Sequence, residues 1–353
     1  MRFDPNFDGH KLMYHPAEVA HWLATGRTPG PIYTEMTLSN RCNCRCLFCG
    51  VDYLVNTTGE AIEPAMAKRI IKELAALGNK AIMFSGDGEP LLHPDAAELI
   101  AFGAERMSAS VTTNGTVLDQ AGPELIDGLK WIRFSVNAGD ARTYAEVHRT
   151  EPELFDRVID NIGRAVERKR RLGLEVTIGS QLVLIDENAG SALQLAKRMK
   201  DLGVDYFSVK PYSQHPLSRN RLEVDSAPFG PLRREIEALA DEAFTVIYRA
   251  GSMAKVGAAK SYDACHGTQF MCFISANGDV WECNCYVGDP RFHIGNATQE
   301  SLHDIWTGPR RRTVLDFIRD ELDLAGCRDI CRMDECNKYL WRLKHPRPHD
   351  DFV

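Results

Sequence analysis

Short apolar runs alternate with longer amphipathic stretches along residues 32–211. The short runs are rich in β-branched and aromatic residues, a pattern typical of buried strands. The stretches between them repeat apolar residues three and four positions apart, which is typical of helices packed on a core. The runs predict strands at residues 32–38, 81–85, 108–113, 131–137, 175–185 and 206–211, and the stretches predict helices at 64–77, 95–107, 123–129, 153–171 and 189–202.

This order of elements predicts an α/β fold, because strands that alternate with helices form parallel βαβ units. After residue 211 the pattern predicts a helix at 231–244, a strand at 245–249, a small-residue linker at 250–261 and two strands joined by an Asn277-Gly278 turn. We therefore divide the chain into a lead-in with one short helix (1–31), a main α/β domain (32–250) and a small α+β domain with a C-terminal tail (251–353).

A cysteine-rich loop follows the first predicted strand. Cys42, Cys46 and Cys49 are separated by three and two residues, so one short loop presents three thiols. Parallel α/β folds bind ligands at the carboxyl ends of their strands, which is where this loop lies. The spacing suits a zinc site, core cysteines, or an iron–sulfur cluster with one open iron. Zinc is the weaker interpretation, because no second Cys or His pair follows at the usual distance.

Composition narrows the class of protein. Apolar residues make up 44% of the chain and charged residues 26%, and the net charge of −7 argues against a broad nucleic-acid surface. The N-terminus lacks the apolar segment of a signal peptide, and no run of about 18 apolar residues occurs. We therefore expect a cytoplasmic protein without a membrane segment. In that compartment the 11 cysteines are better explained as metal ligands or catalytic groups than as disulfides.

Polar segments follow the other predicted strands as well. Residues 85–90 read Ser-Gly-Asp-Gly-Glu-Pro, in which the glycines permit a tight turn and Glu89 offers an acceptor to a ligand. Ser135 and Asn137 end the fourth strand, and Lys210 and Tyr212 lie at the end of the sixth. Capping of loop backbone explains Ser135 and Asn137 equally well.

The cysteine loop and these strand ends resemble the radical S-adenosylmethionine family over residues 32–215. The resemblance implies a partial (β/α)6 barrel, a [4Fe–4S] cluster on Cys42, Cys46 and Cys49, and S-adenosylmethionine at the open iron. Asp87 departs from the family's glycine-glycine-glutamate motif. The residues implied for S-adenosylmethionine are Phe48 at the adenine, Gly86, Asp87, Gly88 and Glu89 at the methionine amino group, and Ser135 and Asn137 at the ribose and carboxylate.

A second set of cysteines lies in the C-terminal region. Twelve residues separate Cys265 from Gly278 and four separate Gly278 from Cys283, and the predicted hairpin lets the two cysteines approach each other. This spacing resembles the auxiliary-cluster module called the twitch or SPASM domain. The resemblance implies one auxiliary [4Fe–4S] cluster, with a second auxiliary cluster as the alternative. The ligands that it implies for the first are Cys265, Cys283, Cys327 and Cys331.

The remaining cysteines have several interpretations. We expect Cys44 to face away from the first cluster. Cys272 and Cys285 flank the auxiliary cluster, pack in the hairpin, or complete a second cluster with Cys336. The related epimerases imply a further role, a thiol that returns hydrogen to a substrate radical, for which Cys336 and Cys272 are the candidates. Burial as small apolar side chains is the simpler explanation for each.

The resemblance also implies an activity. One electron, from an external reductant such as flavodoxin or ferredoxin, splits S-adenosylmethionine and yields a 5′-deoxyadenosyl radical that abstracts hydrogen from the substrate. We expect a small molecule, such as a sugar, aminocyclitol or nucleotide-sugar, that undergoes dehydrogenation or epimerisation. Lys210, Arg142 and Tyr212 are candidates to hold its phosphate or hydroxyl groups, although surface ion pairing is the commoner role for such residues.

Two other functions stay open. One is a peptide-modifying enzyme of the same family, although some 31 residues before the first predicted strand are too few for the recognition domain that many such enzymes carry. The other is a non-enzymatic iron–sulfur electron carrier or redox sensor. An electron carrier needs neither an open iron nor the turn at residues 86–89.

Overall fold

The computed structural model describes residues 10–224 and 229–352, so residues 1–9 of the predicted lead-in lie outside the described residues. The strands are β1 (Tyr33–Met36), β2 (Ala81–Phe84), β3 (Ser108–Thr113), β4 (Trp131–Ser135), β5 (Thr177–Leu184), β6 (Tyr206–Pro211), β7 (Thr245–Tyr248), β8 (Met271–Ile274), β9 (Asp279–Trp281) and β10 (His293–Asn296). The helices are α1 (Pro16–Thr25), α2 (Pro64–Ala76), α3 (Ala96–Ala104), α4 (Leu118–Ala121), α5 (Ala141–His148), α6 (Glu153–Leu172), α7 (Asp186–Ala189), α8 (Ala192–Leu202), α9 (Phe229–Glu237), α10 (Ala250–Met253), α11 (Leu302–Thr307), α12 (Pro309–Asp320) and α13 (Asp334–Lys344).

All ten strands belong to one sheet, in the order β10-β9-β8-β1-β2-β3-β4-β5-β6-β7. The six predicted strands are β1 to β6, which lie side by side and parallel, and β7 and β8 extend them in parallel. The predicted α/β class is confirmed. The sheet crosses the boundary that we drew at residue 250, because β8 pairs with β1.

Most of the predicted helices form, but the helix predicted at 123–129 is a 3₁₀ turn (Pro123–Ile126), the helix predicted at 231–244 ends at Glu237, and the sequence pattern does not predict α5. In α2, Pro64 occupies the first turn, the Glu63 carboxylate accepts from Met66 N at 2.9 Å, and the apolar face is buried. The helix predicted at 189–202 begins later, at Ala192, and a separate short helix, α7, precedes it. The Asn188 side chain donates to Asn137 O and Val183 O, at 2.9 Å each, which holds α7 beside β4 and β5. No helix in the described part of the chain is long and apolar enough to cross a membrane.

The two faces of the sheet differ in character. Residues such as Ile82, Phe84 and Ile132 pack with the helices in the main core. The alternate residues carry polar and charged groups, and we call this side the polar face. Strand register sets the following residues on it: Glu35, Met83, Ser110, Thr112, Arg133, Gln181, Tyr206, Ser208 and Lys210.

Side chains from distant strands approach one another on the polar face. The Arg133 guanidinium lowers the pKa of Tyr33 in β1 and of Tyr206 in β6, although burial raises both overall. The Tyr206 ring lies across Gly179 of β5, where any side chain would overlap it. Tyr33, Arg133 and Tyr206 therefore lie on one side of the sheet.

The C-terminal hairpin is tied to the helices behind it. Gly278 has a φ of 84°, and Ser275 N donates to Asp279 O at 2.9 Å, which confirms the predicted turn. Just after β9, the Glu282 carboxylate accepts from Nε and Nη2 of Arg311 at 2.8 and 3.0 Å, and both side chains are buried. Removing one partner of such a pair costs about 3–5 kcal/mol, so this contact fixes α12 to the hairpin.

Gly179→Ala is expected to destabilise the protein. A Cβ at this position would overlap the Tyr206 ring, and overpacking of this kind costs about 1–3 kcal/mol in the free energy of unfolding. Urea denaturation would measure the loss. Gly190→Ala is the matched control, because a Cβ built there has no atom within 4 Å. Equal stability of the two variants would contradict the packing of Tyr206 over β5.

Candidate active site

The cysteine loop, residues 42–49, leaves the carboxyl end of β1 and lies against the end of α5. The backbone N–H groups of Arg45 and Leu47 donate to the carbonyls of His148 and Val147, each at 2.9 Å. Two backbone bonds of this kind fix the loop between a central strand and a helix terminus. The spacing of its thiols is therefore set by the fold.

Cys44 is the one thiol of the loop that is buried, with 3% of its surface exposed. Its sulfur lies with the Cys46 sulfur and a His148 ring nitrogen in a group whose ligand atoms are all within 4.8 Å of one another. Our expectation that Cys44 faces away from the cluster site is therefore wrong. Asn114 Nδ2 donates to Cys44 Sγ at 3.6 Å, which holds the thiol on this side of the loop.

His148 is a residue of this site that sequence reasoning missed. Its Nε2 lies 2.7 Å from Val136 O, so this nitrogen carries the proton, because a carbonyl only accepts. Its Nδ1 therefore faces Cys46 Sγ, at 3.1 Å. The ring stacks on Tyr144 with centroids 4.3 Å apart. The sequence offers no motif for His148; its role depends on where the end of α5 lies.

Two of the predicted ligand thiols, Cys42 and Cys49, are hard to ionise on their own. Contact with the Cys44 thiol and burial raise the pKa of Cys42, and burial raises the pKa of Cys49 to about 11. A thiolate in this position needs a compensating positive charge, which iron supplies when it binds. Sulfur donors grouped in one loop, with the three predicted ligands partly exposed, fit an iron–sulfur cluster.

The turn after β2 brings backbone against the cysteine loop. Gly86 has a φ of 114°, which side chains rarely adopt, and a Cβ there would also overlap the Thr37 hydroxyl. A Cβ on Gly88 would overlap the Ser39 carbonyl. Both positions therefore require glycine, because the neighbouring atoms leave no room for a Cβ. Asp87 between them is buried, and its Oδ1 has no hydrogen-bond partner in the described residues.

Glu89 links this turn to the end of β3. Its carboxylate accepts from Thr113 Oγ1 at 2.6 Å, from Asn114 N at 2.7 Å and from Leu91 N at 3.2 Å. Burial raises its pKa to about 7, in spite of these three donors. A carboxylate has about four acceptor positions, so one position stays open to a ligand.

The other residues predicted for S-adenosylmethionine lie near this turn or at the end of β4. Phe48 contacts the His148 ring edge-on, with centroids 5.7 Å apart. Ser135 ends β4 on the polar face and is partly exposed. Asn137 is buried, and its Oδ1 accepts from Val183 N at 2.7 Å, so its side chain fastens β5.

The three residues predicted to hold substrate lie in different surroundings. Lys210 lies on the polar face at the end of β6. The Tyr212 hydroxyl donates to Gln214 Oε1 at 2.8 Å, just beyond the same strand. Arg142 is exposed on α5, outside the polar face. Of the three, Lys210 and Tyr212 lie at the same strand end.

The C-terminal cysteines form a second group. The Cys285 thiol interacts with the thiols of Cys283 and Cys331; the contact with Cys283 and burial raise the pKa of Cys285 to about 12, although the contact with Cys331 lowers it. Burial and the charge of Cys331 likewise raise the pKa of Cys265 to about 12. The sulfurs that come together include all four predicted ligands and one more: Cys265, Cys283, Cys285, Cys327 and Cys331.

Hydrogen-bond donors surround these sulfurs. Asn337 Nδ2 donates to Cys265 Sγ at 3.2 Å, and the Tyr286 hydroxyl donates to Cys327 Sγ at 3.6 Å. Such donors stabilise negative charge on thiolate sulfur. Five grouped sulfurs with donors at their edge fit an auxiliary iron–sulfur cluster.

Cys272 and Cys336 have different surroundings. Cys272 pairs with Thr34 across β8 and β1, on the side of the sheet that packs in the main core, and is 1% exposed. Cys336 packs from α13 against a small apolar cluster around Trp22 and Phe270, and burial and the charge of Cys331 raise its pKa to about 12. Cys272 therefore does not reach the polar face, and Cys336 lies beside the second group of cysteines.

Comparison with known families agrees with this geometry. The family model described as the Radical SAM superfamily matches residues 36–188. The model described as an iron-sulfur cluster-binding domain, SPASM, matches residues 265–337. These two domains imply a [4Fe–4S] cluster with S-adenosylmethionine and auxiliary iron–sulfur clusters, respectively.

Individual relatives have different activities. The chain is 26% identical to a GTP 3',8-cyclase of Aquifex aeolicus over 79% of this chain and 89% of the cyclase. It is 23% identical to an AdoMet-dependent heme synthase of Methanosarcina barkeri, over 88% and 90% of the two chains. Streptococcus suis SuiB bound to precursor peptide SuiA has a similar fold, with a TM-score of 0.67, 19% identity and coverage of 96% of this chain and 78% of SuiB.

Iron content should follow the cysteine groups. Two [4Fe–4S] clusters require about eight iron and eight sulfide ions per chain, and we expect Cys46→Ser to lower both to about four. Cys44→Ser, a matched change in the same loop, should leave about eight. Colorimetric iron and sulfide analysis of anaerobically reconstituted protein measures both. An iron content of about four per chain in Cys44→Ser would show that Cys44 is a ligand and would contradict the predicted set. About twelve iron ions per chain in the wild type would indicate a second auxiliary cluster.

Proposed function

Because the chain carries a radical SAM domain and a C-terminal SPASM domain, we propose that it is a radical S-adenosylmethionine enzyme that oxidises a small molecule. The observation that carries the proposal is the juxtaposition of the cysteine loop, the Gly86–Glu89 turn and a polar face lined by charged side chains. An iron–sulfur electron carrier needs neither the Gly86–Glu89 turn nor the polar face, so the non-enzymatic alternative is not supported.

In this proposal Cys42, Cys46 and Cys49 hold the first cluster and leave one iron for S-adenosylmethionine. When bound, the cluster and S-adenosylmethionine supply a 5′-deoxyadenosyl radical that removes a hydrogen atom from carbon. The chain's own residues orient the ligand and exclude water. His148 lies beside Cys46, with its Nδ1 3.1 Å from the sulfur.

The turn after β2 binds the methionine end of S-adenosylmethionine. Gly86 and Gly88 let the backbone approach, and Glu89 has one acceptor position left after its three protein donors. Phe48 supports the adenine and Ser135 the ribose. The Asn137 amide already holds β5, so its part is to fix the strand end beside His148.

Dehydrogenation is better supported than epimerisation. An epimerase needs a thiol beside the substrate, and both candidate thiols, Cys272 and Cys336, pack in apolar clusters. Cys265, Cys283, Cys327 and Cys331, or Cys285 in place of one of them, would hold the auxiliary cluster, which would supply an acceptor for the second electron while the substrate loses the accompanying proton. A flavodoxin or ferredoxin supplies the first electron.

A peptide substrate is the second candidate. The observation that favours it is the likeness in fold to SuiB, whose structure holds a precursor peptide. The small-molecule proposal is supported by the GTP 3',8-cyclase, a relative whose name gives a nucleotide substrate. To distinguish the two candidates, the enzyme is incubated separately with small-molecule and with peptide substrates. Mass spectrometry then shows which substrate loses two mass units.

Reductive cleavage of S-adenosylmethionine is the basal activity to test. We expect the reduced wild-type protein to release 5′-deoxyadenosine and methionine, and Cys46→Ala to release less than about a hundredth as much, because the cluster loses a ligand. Liquid chromatography of anaerobic reactions measures both products. Cys336→Ala, remote from the loop, is the control and should retain cleavage. Cleavage that survives in Cys46→Ala would exclude the proposed chemistry.

The affinity for S-adenosylmethionine should depend on the ionisation of Glu89. Its pKa is raised to about 7 by burial, so the ionised form predominates above pH 7 and is lost as the pH falls through that value. If the carboxylate accepts the amino group, lowering the pH from 8 to 6 weakens binding about tenfold more in the wild type than in Glu89→Gln. Calorimetric titration with S-adenosylmethionine at both pH values measures this. Parallel pH profiles would contradict the assignment.

A further inference from the structure

One segment of the chain contacts both groups of cysteines. Residues 213–220 follow β6 and lie between the cysteine loop and the segment that carries Cys327 and Cys331. We call residues 213–220 the strap. Because the strap is bonded to both groups, its position depends on both of them.

The C-terminal end of the strap holds the cysteine loop. Asn220 Nδ2 donates to Cys46 O at 3.2 Å, and Ser218 Oγ donates to Cys49 O at 3.3 Å. The Asp52 carboxylate, just beyond the loop, accepts from Asn220 N at 3.0 Å. Side chains of the strap therefore bind the backbone of two predicted ligands of the first cluster.

The N-terminal end of the strap is bonded to the second group of cysteines. Arg328 Nη2 donates to Ser213 O at 3.0 Å, and Ile330 N donates to Ser213 Oγ at 3.5 Å. Arg328 and Ile330 lie between Cys327 and Cys331, which are predicted ligands of the auxiliary cluster. A cluster on these two cysteines would fix both ends of the short segment that holds Ser213.

Bonds within the strap join its two ends. Gln214 Nε2 donates to Asn220 O at 3.0 Å, which closes the strap into a compact turn. Ser218 N donates to His215 O and Leu217 N donates to His215 Nδ1, at 3.2 Å each. A hydrogen-bonded segment of this kind moves as a unit, so a displacement at one end is carried to the other.

A separate contact joins the same two regions outside the strap. Tyr53 follows the cysteine loop, and its hydroxyl donates to Val287 O at 3.0 Å. Val287 lies two residues beyond Cys285 of the second group. This bond offers a comparison for the strap, because it connects the two regions without touching the backbone of a predicted ligand.

We propose that the strap positions the cysteine loop according to whether the second group of cysteines holds its cluster. With iron on Cys327 and Cys331, the strap is fixed and holds the carbonyl groups of Cys46 and Cys49. Without that iron, the strap and the loop are less constrained. Filling either group then favours filling of the other, because coupling between two binding sites is reciprocal.

The inference rests on the proposed function only in taking both groups to hold clusters, and it does not require cleavage of S-adenosylmethionine. Its test can therefore be made without S-adenosylmethionine. Amide hydrogen exchange, followed by mass spectrometry of peptic fragments under anaerobic conditions, reports local opening of the backbone.

The full-length Cys46→Ala variant is the starting protein, because it is expected to hold only the auxiliary cluster and keeps the carbonyl that Asn220 binds. Iron analysis checks that the loaded form holds about four iron ions per chain. We expect loading to slow exchange at least about fivefold in residues 42–56 and in the strap. Residues 108–113 of β3 should exchange equally in both forms, which shows that the fold is intact.

Asn220→Ala, added to Cys46→Ala, removes the bond between the strap and Cys46 O. The effect of loading on residues 42–56 should then fall below about twofold, while the effect on residues 327–331 remains. A loop that exchanges faster by the same factor with and without iron would show a structural role alone, and would contradict the coupling.

Two control variants keep the strap bonded. Arg219→Ala removes an exposed side chain but leaves the backbone N–H that donates to Asp52. Tyr53→Phe removes the separate bond to Val287 O. Both should keep the fivefold effect on residues 42–56. Loss of the effect in Tyr53→Phe, or its persistence in Asn220→Ala, would overturn the assignment to the strap.

The reciprocal effect is measured in a second protein, the double variant Cys265→Ala/Cys283→Ala, which is expected to hold only the first cluster. Loading that cluster should slow exchange at residues 327–331 at least about fivefold. Equal exchange there, or equal exchange of residues 42–56 in Cys46→Ala, would overturn the inference. Coupling in a wild-type protein that releases no 5′-deoxyadenosine would exclude the proposed function alone, and release of 5′-deoxyadenosine without coupling would exclude this inference alone.

Discussion

The structure depends on the position of β1 as an interior strand with a parallel neighbour on each side. Its pairing with β2 aligns the cysteine loop with the Gly86–Glu89 turn, and its pairing with β8 brings the C-terminal cysteines to the same sheet. The bonds continue past the strand end, from Thr37 N to Ile274 O at 2.9 Å and from Ser85 N to Met36 O at 3.2 Å. Because parallel strands share one carboxyl edge, the cysteine loop and the Gly86–Glu89 turn meet there.

The sequence predicts much of this arrangement because the signals are local. Apolar runs locate the six strands, and the Asn277-Gly278 turn locates the hairpin. Gly86 and Gly88 mark a turn in which a Cβ would overlap neighbouring atoms. Local sequence patterns do not predict features that depend on contact between distant segments. His148 reaches Cys46 only because α5 ends beside the loop, and Cys44 stays at the site because Asn114 holds it.

Charge explains why the site is built from groups that do not satisfy one another. Thiols with raised pKa values gather in two groups, and burial lowers the pKa of Lys210 on the polar face well below its ordinary value. Iron compensates thiolates when it binds, so bound clusters would balance the thiols that the chain leaves without a counter-charge. Local conflicts of this kind are expected at functional sites, where binding takes precedence over stability.

The account rests on one iron of the first cluster being free of cysteine and bound by S-adenosylmethionine. Electron paramagnetic resonance of the reduced protein, recorded before and after S-adenosylmethionine is added, tests this most directly, with Cys46→Ala as the reference for the auxiliary cluster. The account predicts that a signal absent from Cys46→Ala changes on addition of S-adenosylmethionine. A wild-type spectrum that S-adenosylmethionine leaves unchanged, or a change that persists in Cys46→Ala, would contradict it.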